Sequence, residues 1–281
     1  MFRPIALRCK IPRLSEAASW AQTLYDGEGE GQAMGAENWH PWDVTTKEAR
    51  EIQDSLRKRW TGTDDLKKIR TVAGLDAAFV LKGSQALANR GRWRALREAN
   101  MAIGGVVLYQ YPEMIEIERV FACEELRFPY VPGFLSFREI PVLLAALKKL
   151  KKMPDLLFCD GQGIAHPRRM GLATHLGLAL DCPTIGCAKS ILIGRHGKLK
   201  KAAGSWSALV DEKGGGERVG VALRTCNGVN PIYVSQGNKV SLKTAIRMTL
   251  SVTDGYRIPR PTRDADRYVS ELKRQNVASA I

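Results

Sequence analysis

Leu156-Leu157-Phe158-Cys159 is an unbroken apolar run set between Asp155 and Asp160, with Gly161 directly after. Such a run is too short for a helix and long enough for a strand. A strand that is apolar on both faces must be covered on both faces, as in the centre of a helix-flanked sheet. This run therefore predicts an α/β fold. It also places a carboxylate, Asp160, at the end of a central strand, where such sheets hold their ligands.

The flanking sequence supplies the other elements. Thr45 and Glu48 have capping-box spacing and predict a helix to about Trp60. Residues 71–80 (TVAGLDAAFV) predict a strand with Asp76 inside it. Residues 82–100 are basic and helix-compatible. Residues 102–111 and 114–121 predict two strands joined at Tyr111-Pro112-Glu113, the second alternating Ile115 and Ile117 with Glu116 and Glu118. Ser136 and Glu139 form a second capping-box pattern, with Leu135 and Ile140 as its hydrophobic staple, opening a helix to Lys152. A helix over 168–180 and a strand over 183–188 follow. Shorter strands are predicted at 205–210, 219–225 and 231–235. A helix over 241–254 carries Leu242, Ala245, Ile246 and Thr249 on one face and stops at Gly255. A last helix begins near Thr262. The expectation is one domain over residues 39–281, a mixed central sheet flanked by helices. Residues 1–38, with Gly-Glu-Gly-Glu-Gly at 27–31, read as a poorly ordered extension. Its spaced arginines faintly suggest a transit peptide, which its five acids oppose.

Charge narrows the partner. The 281 residues hold 43 Lys+Arg against 29 Asp+Glu, a net charge of +14. Residues 148–201 alone carry +8 and residues 239–281 carry +5. Concentrated surplus of this kind suits a polyanion, nucleic acid or a membrane surface. The longest apolar run, 140–147, contains Pro141 and falls far short of the ~18–20 residues that span a bilayer. The six cysteines lack any C-x-x-C pair, so the default context is reduced and cytoplasmic. Cys182 and Cys187 with His166 and His175 are too loosely spaced for zinc, and core thiols are the simpler account.

Asp76 and Asp160 sit within or at the end of apolar strands. A buried carboxylate needs a cation, hydrogen bonds or a metal. Each alone is explained by a loop cap or a lysine partner. Together with Glu139 they make a set of oxygen donors suited to Mg²⁺, although Glu139 is equally a capping-box residue. The run Asp160-Gly161-Gln162-Gly163-Ile164-Ala165-His166-Pro167-Arg168-Arg169 lacks the third glycine of a dinucleotide fingerprint. Its arginines at a predicted helix start are easiest to explain if an anion binds there. Pro129-Tyr130-Val131-Pro132-Gly133-Phe134 is a stiff loop with an aromatic, either a packed turn or a wedge into stacked bases.

These motifs carry a family resemblance. PYVPGFLSFRE (129–139), DGQGIAHPRRMGLATHLGLALDCPTIGCAKS (160–190) and GYRIPRPTRDADR (255–267), with VAGLDAAF (72–79) and WDVTTKEAREIQ (42–53), resemble the endonuclease V family over about residues 39–272. The resemblance implies a ribonuclease H-like fold and a DNA repair endonuclease. Such an enzyme recognises deaminated bases, deoxyinosine above all, by flipping them out. It hydrolyses the second phosphodiester 3′ to the lesion and leaves 3′-hydroxyl and 5′-phosphate ends. It further implies Asp76, Glu139 and Asp160 as ligands of Mg²⁺ (or Mn²⁺), Lys189 at the reacting phosphate, and Tyr130 as the wedge. Gly133, Leu135, Gly161, Gly163, Leu172 and Leu192 would line the base pocket, and His166, Arg168 and His175 would lie near the DNA backbone. The expected enzyme is a monomer. Inosine-containing RNA, or binding of deaminated nucleic acid without cleavage, are the alternatives. Gln162 and Asn238 stand where the family often has histidine, and an Asn at the latter position cannot titrate near neutral pH.

Overall fold

The computed structural model describes residues 40–81 and 97–275. The predicted extension, the basic residues Arg90, Arg92, Trp93 and Arg94 and the end of the chain lie outside the described residues. Helix α1 is Thr46–Arg57, and its Thr45–Glu48 capping box forms in full. Strand β1 (Thr71–Val80) pairs antiparallel with β2 (Met101–Gln110), and β2 pairs antiparallel with β3 (Ile115–Glu125). Helix α2 spans Ser136–Leu147, followed by β4 (Leu156–Cys159), α3 (Leu172–Leu180) and β5 (Thr184–Ala188). A ribbon of β6 (Arg195–His196), β7 (Trp206–Asp211), β8 (Glu217–Leu223) and β9 (Ile232–Gln236) comes next. Helices α4 (Leu242–Ser251) and α5 (Arg260–Arg274) complete the order. Among the described residues, no helix is long and apolar enough to cross a membrane.

The strands form one sheet in the order β3-β2-β1-β4-β5-β9-β8-β7-β6. β4 lies between β1 and β5, parallel to both, so the apolar run is the central strand it was expected to be. Its four side chains divide between two cores. Leu156 and Phe158 join Val72, Val107, Ile185 and Val234 under α4 and α5, and Leu157 and Cys159 join Ala73, Leu75 and Val106 under α2 and α3. The result is a mixed sheet sandwiched between helices, a ribonuclease H-like fold.

Several expectations need correction. The alternation predicted at the start of β3 does not sort inside from outside: Ile115, Glu116 and Ile117 are all exposed, at the end of an edge strand whose register with β2 shifts beside them. Strand β3 also runs four residues past its predicted end. The capping box at Ser136 does not form. Leu135 is the N-cap residue, Ser136 turns its hydroxyl to His175 Nδ1 at 2.9 Å, and Leu135 is exposed, so it makes no staple. Helix α3 begins four residues later than Arg168, leaving Arg168 and Arg169 in the preceding turn, with Arg169 at a φ of 58°. The anion argument built on a helix start therefore lapses.

Strand glycines set how closely the helices approach. A Cβ on Gly74 would lie 2.0 Å from the Pro261 backbone, and one on Gly105 would lie 2.6 Å from Val269. Gly105 faces Asp76 across the β1–β2 ladder. Helix α5 therefore comes down directly onto the sheet where Asp76 sits.

Candidate active site

Three aspartates converge. Asp76 lies in the middle of β1, Asp160 follows the last residue of β4, and Asp266 stands in the second turn of α5. One carboxylate oxygen from each lies within 4.8 Å of the others. Strand parity explains the choice. Val72, Gly74 and Asp76 share one face of β1, and Leu156, Phe158 and Asp160 follow the same period off β4. That face belongs to α4 and α5, so α5 supplies the third carboxylate.

Glu139 was expected in this place. It sits in α2, which covers the opposite face, and is 8% exposed. It is near enough for Asp76 and Asp160, after burial itself, to push its carboxyl well above the ordinary range. It borders the cluster, and Asp266, which the sequence reading did not single out, joins Asp76 and Asp160 in a group that could hold a metal ion.

Lys189 follows β5 directly and reaches two of the acids. Its Nζ is 2.5 Å from Asp160 Oδ2 and 2.7 Å from Asp266 Oδ2. Burial pulls its pKa down, but the two carboxylates outweigh this and hold it above its usual value. Asp76 makes no direct ion pair among the described residues, and Lys189 acts on it only at longer range. Burial first, then the charge of Asp160, push it up to about 8. Asp160 is also raised, by burial, against the opposing pull of Lys189. Three carboxylates with one ammonium between two of them form an oxygen-only, electron-rich set with one member left uncompensated. That donor chemistry fits a hard divalent cation.

The loops around this centre hold one another. Gly133 adopts a φ of 83°, and its carbonyl accepts hydrogen bonds from Arg168 Nη2 at 2.6 Å and Gln53 Nε2 at 3.3 Å, with His166 Nε2 3.1 Å away. Arg168 also donates to Gln53 Oε1 and stacks 4.1 Å over Phe134. Phe128, Phe134 and Phe137 pack with Ala49 of α1. The Pro-Tyr loop is thus anchored behind by aromatics and guanidinium, while Tyr130 is half-buried and Leu135 exposed at its front. A cleft of about 440 Å³ on its outer side is lined by Thr46, Lys47, Arg50, Val131 and Phe134, with none of the acids.

The remaining expected residues separate into two groups. Gly133, Leu135, Gly161 and Leu192 are at least partly open to solvent, and the Leu172 side chain packs beneath Gly161. Gly163 is buried, and a Cβ there would lie 2.0 Å from the Gln236 carbonyl, so close packing requires a glycine at this position. His166 is 4% exposed and His175 fully buried. His175 Nε2 lies 2.7 Å from His40 Nε2, and burial holds its pKa well below the usual value. Arg169 is committed to Asp211 and Glu217, each at 2.8 Å. Asn238 lies beside Thr184 at the far end of β5 from Lys189, donating to the Gly177 carbonyl at 3.1 Å. It is a structural link remote from the acids. Gln162 donates to the Ser190 carbonyl at 2.9 Å and leaves its buried Oε1 without a hydrogen bond.

A ribonuclease H-like sheet with carboxylates gathered over its central strands defines the class. The particular family follows from the comparisons. The endonuclease V family profile matches residues 54–267. Endonuclease V of Trichormus variabilis is 45% identical over 232 residues, covering 82% of this chain and 96% of that protein. The crystal structure of endonuclease V from Streptomyces avermitilis is 37% identical, covers 84% of this chain and 96% of its own, and superposes with a TM-score of 0.72. Endonuclease V of Ciona intestinalis, solved with a 24mer DNA containing an inosine followed by a ribo-adenosine, is 27% identical, covers 82% of this chain and 98% of its own, and has a TM-score of 0.66. The chain belongs to the endonuclease V family and is a nuclease, hence a hydrolase.

Proposed function

We propose that this protein is a Mg²⁺-dependent DNA repair endonuclease, with Mn²⁺ as a substitute. It recognises deoxyinosine by base flipping and cuts the second phosphodiester 3′ to it, leaving 3′-hydroxyl and 5′-phosphate ends. The observation that carries this reading is the convergence of Asp76, Asp160 and Asp266 on one point, with Lys189 against two of them. A divalent cation bound by those carboxylates supplies Lewis acidity and an activated water for phosphodiester hydrolysis. The chain's own groups do the rest. The Lys189 ammonium neutralises charge on the scissile phosphate. Glu139, whose carboxyl burial and the neighbouring acids push well above its ordinary range, is the further carboxylate that could join the metal's ligands at the edge of the site. Tyr130 fills the gap the base leaves. The half-open backbone at Gly133 and Gly161, with Leu135 and Leu192, faces the extruded base and reads the ring N–H and carbonyl that distinguish hypoxanthine from adenine. Lys47 and Arg50, on the outer side of the wedge loop, suit the duplex backbone. The reading takes the chain as a monomer in the cytoplasm, where reducing conditions suit its free thiols.

End-labelled duplexes and matched RNAs with one inosine test this, with cut positions mapped in Mg²⁺ and in EDTA. The reading expects a single Mg²⁺-dependent nick in DNA. Cleavage confined to the RNA would transfer the reading to an inosine-specific ribonuclease. Lesion-dependent binding without turnover would make the protein a binder.

A further inference from the structure

Tyr256 stands on the connection between α4 and α5 with 60% of its surface exposed. Single exposed aromatics are ordinary, but this one is braced. The Arg263 guanidinium lies 4.2 Å from the ring centroid. That guanidinium cannot swing away, because Nη1 and Nη2 hold the two Asp254 oxygens at 2.5 and 2.7 Å, and Nε lies 3.5 Å from Asp264 Oδ1. The next residue fixes the other side. Arg257 donates to the carbonyls of Lys189 at 2.7 Å, Pro231 at 2.9 Å and Asn230 at 3.1 Å. Its own carbonyl accepts from Thr225 Oγ1 at 2.6 Å.

Both supports lead to the acidic cluster. Arg257 grips the backbone of Lys189, whose ammonium bridges Asp160 and Asp266. Arg263 precedes Asp266 by three residues on α5, a separation of about 5–6 Å between neighbouring Cβ atoms on one helix face. A rigid, exposed aromatic ring therefore sits one residue from a clamp on the catalytic lysine. The Arg263 charge is already neutralised by Asp254, so the feature is ill suited to gripping phosphate. The π face of a nucleobase suits it better, since base–aromatic stacking is tolerant of sequence and needs no free charge.

We infer that Tyr256, braced by Arg263, is a stacking shelf for a base of the substrate strand beside the scissile phosphate. The inference rests on the proposed nuclease function. It differs from the wedge at Tyr130, which is carried by the loop anchored on α1.

The test uses the full chain and deoxyinosine duplexes carrying one 2-aminopurine at successive positions 3′ to the lesion, with Ca²⁺ replacing Mg²⁺. In the parent protein, one position should lose fluorescence on binding, as a base stacks on the ring. Tyr256→Ala and Tyr256→Leu should abolish that quench and weaken binding by about five- to a hundredfold. Tyr256→Phe and Tyr256→Trp should keep both. Melting temperatures should stay at the parent value, because the ring is exposed. If Tyr256→Leu binds and quenches like the parent, the shelf is overturned while the nuclease reading stands. If the parent neither binds nor nicks deoxyinosine duplexes in the same series, the nuclease reading falls and the shelf with it.

Discussion

Asp76→Asn should make the metal-free protein more stable. Among the described residues Asp76 is the one carboxylate of the cluster without a direct ion pair, and burial and Asp160, against the weaker pull of Lys189, push its pKa from 3.8 up to about 8. An acid whose folded pKa exceeds its unfolded one gives full stability below the unfolded value and loses it as pH rises toward the folded value. A shift of about four units at about 1.4 kcal/mol each sets an upper limit near 5 kcal/mol at pH 8. Coupling to the neighbouring charges, and desolvation of the new amide, reduce this to roughly 2–4 kcal/mol. At about 2–4 °C per kcal/mol for a domain of this size, the variant should melt about 4–16 °C above the parent at pH 8 in EDTA. The gain should shrink steadily to pH 5. Added Mg²⁺ or Mn²⁺ should reverse the order, because only the parent gains the stabilisation of a ligand that binds the native state. Thermal melts across pH 5–8, with EDTA and with metal, read all of this. A variant no more stable than the parent at pH 8 in EDTA, or a gain independent of pH, would refute the reasoning.

Three further outcomes follow from the packing. Gly74→Ala places a Cβ 2.0 Å from the Pro261 backbone, so α5 must lift from the sheet, and Tm and nicking should fall together. His166 is held near 4 by burial and by Arg168, below its ordinary 6.5, so the unfolded chain takes its proton first and stability is lost as pH falls from 6.5 toward 4. His166→Gln should remove up to about 3 kcal/mol of that acid-side loss in urea titrations, and an unchanged slope would contradict it. Arg169→Met leaves Asp211 and Glu217 without the buried guanidinium that joins them and should cost about 1–3 kcal/mol in denaturant melts, since Asp211 is mostly buried while Glu217 is open to water.

Much of this architecture was legible in the chain. The central strand announced itself because four consecutive apolar side chains must be buried on alternate faces, and Asp76 and Asp160 stood out as carboxylates in apolar strands. Asp266 did not. It lies in Arg263-Asp264-Ala265-Asp266-Arg267, a mixed-charge run that reads as a solvated helix face. The available signal was indirect: Gly74 and Gly105 interrupt apolar strands on either side of Asp76, and glycine inside a strand marks close approach by another backbone. The capping box at Ser136 and Glu139 misled, because tertiary contacts claimed both side chains, one for His175 and one for the neighbourhood of the acids. The family resemblance alone put His166, Arg168 and His175 near the DNA backbone. Nothing local revealed that the Gly133 carbonyl and His40 would occupy them.

The most direct test of the central claim is the single-turnover nicking rate on a deoxyinosine duplex as Mg²⁺ is raised, for the parent and for Asp266→Asn. With Asp76, Asp160 and Asp266 as one cation site, the parent should cut once per lesion in a Mg²⁺-saturable way. The variant should cut at least a hundredfold more slowly, or need far more metal, while still binding the lesion. Equal rates and equal Mg²⁺ dependence in the two proteins would contradict the account.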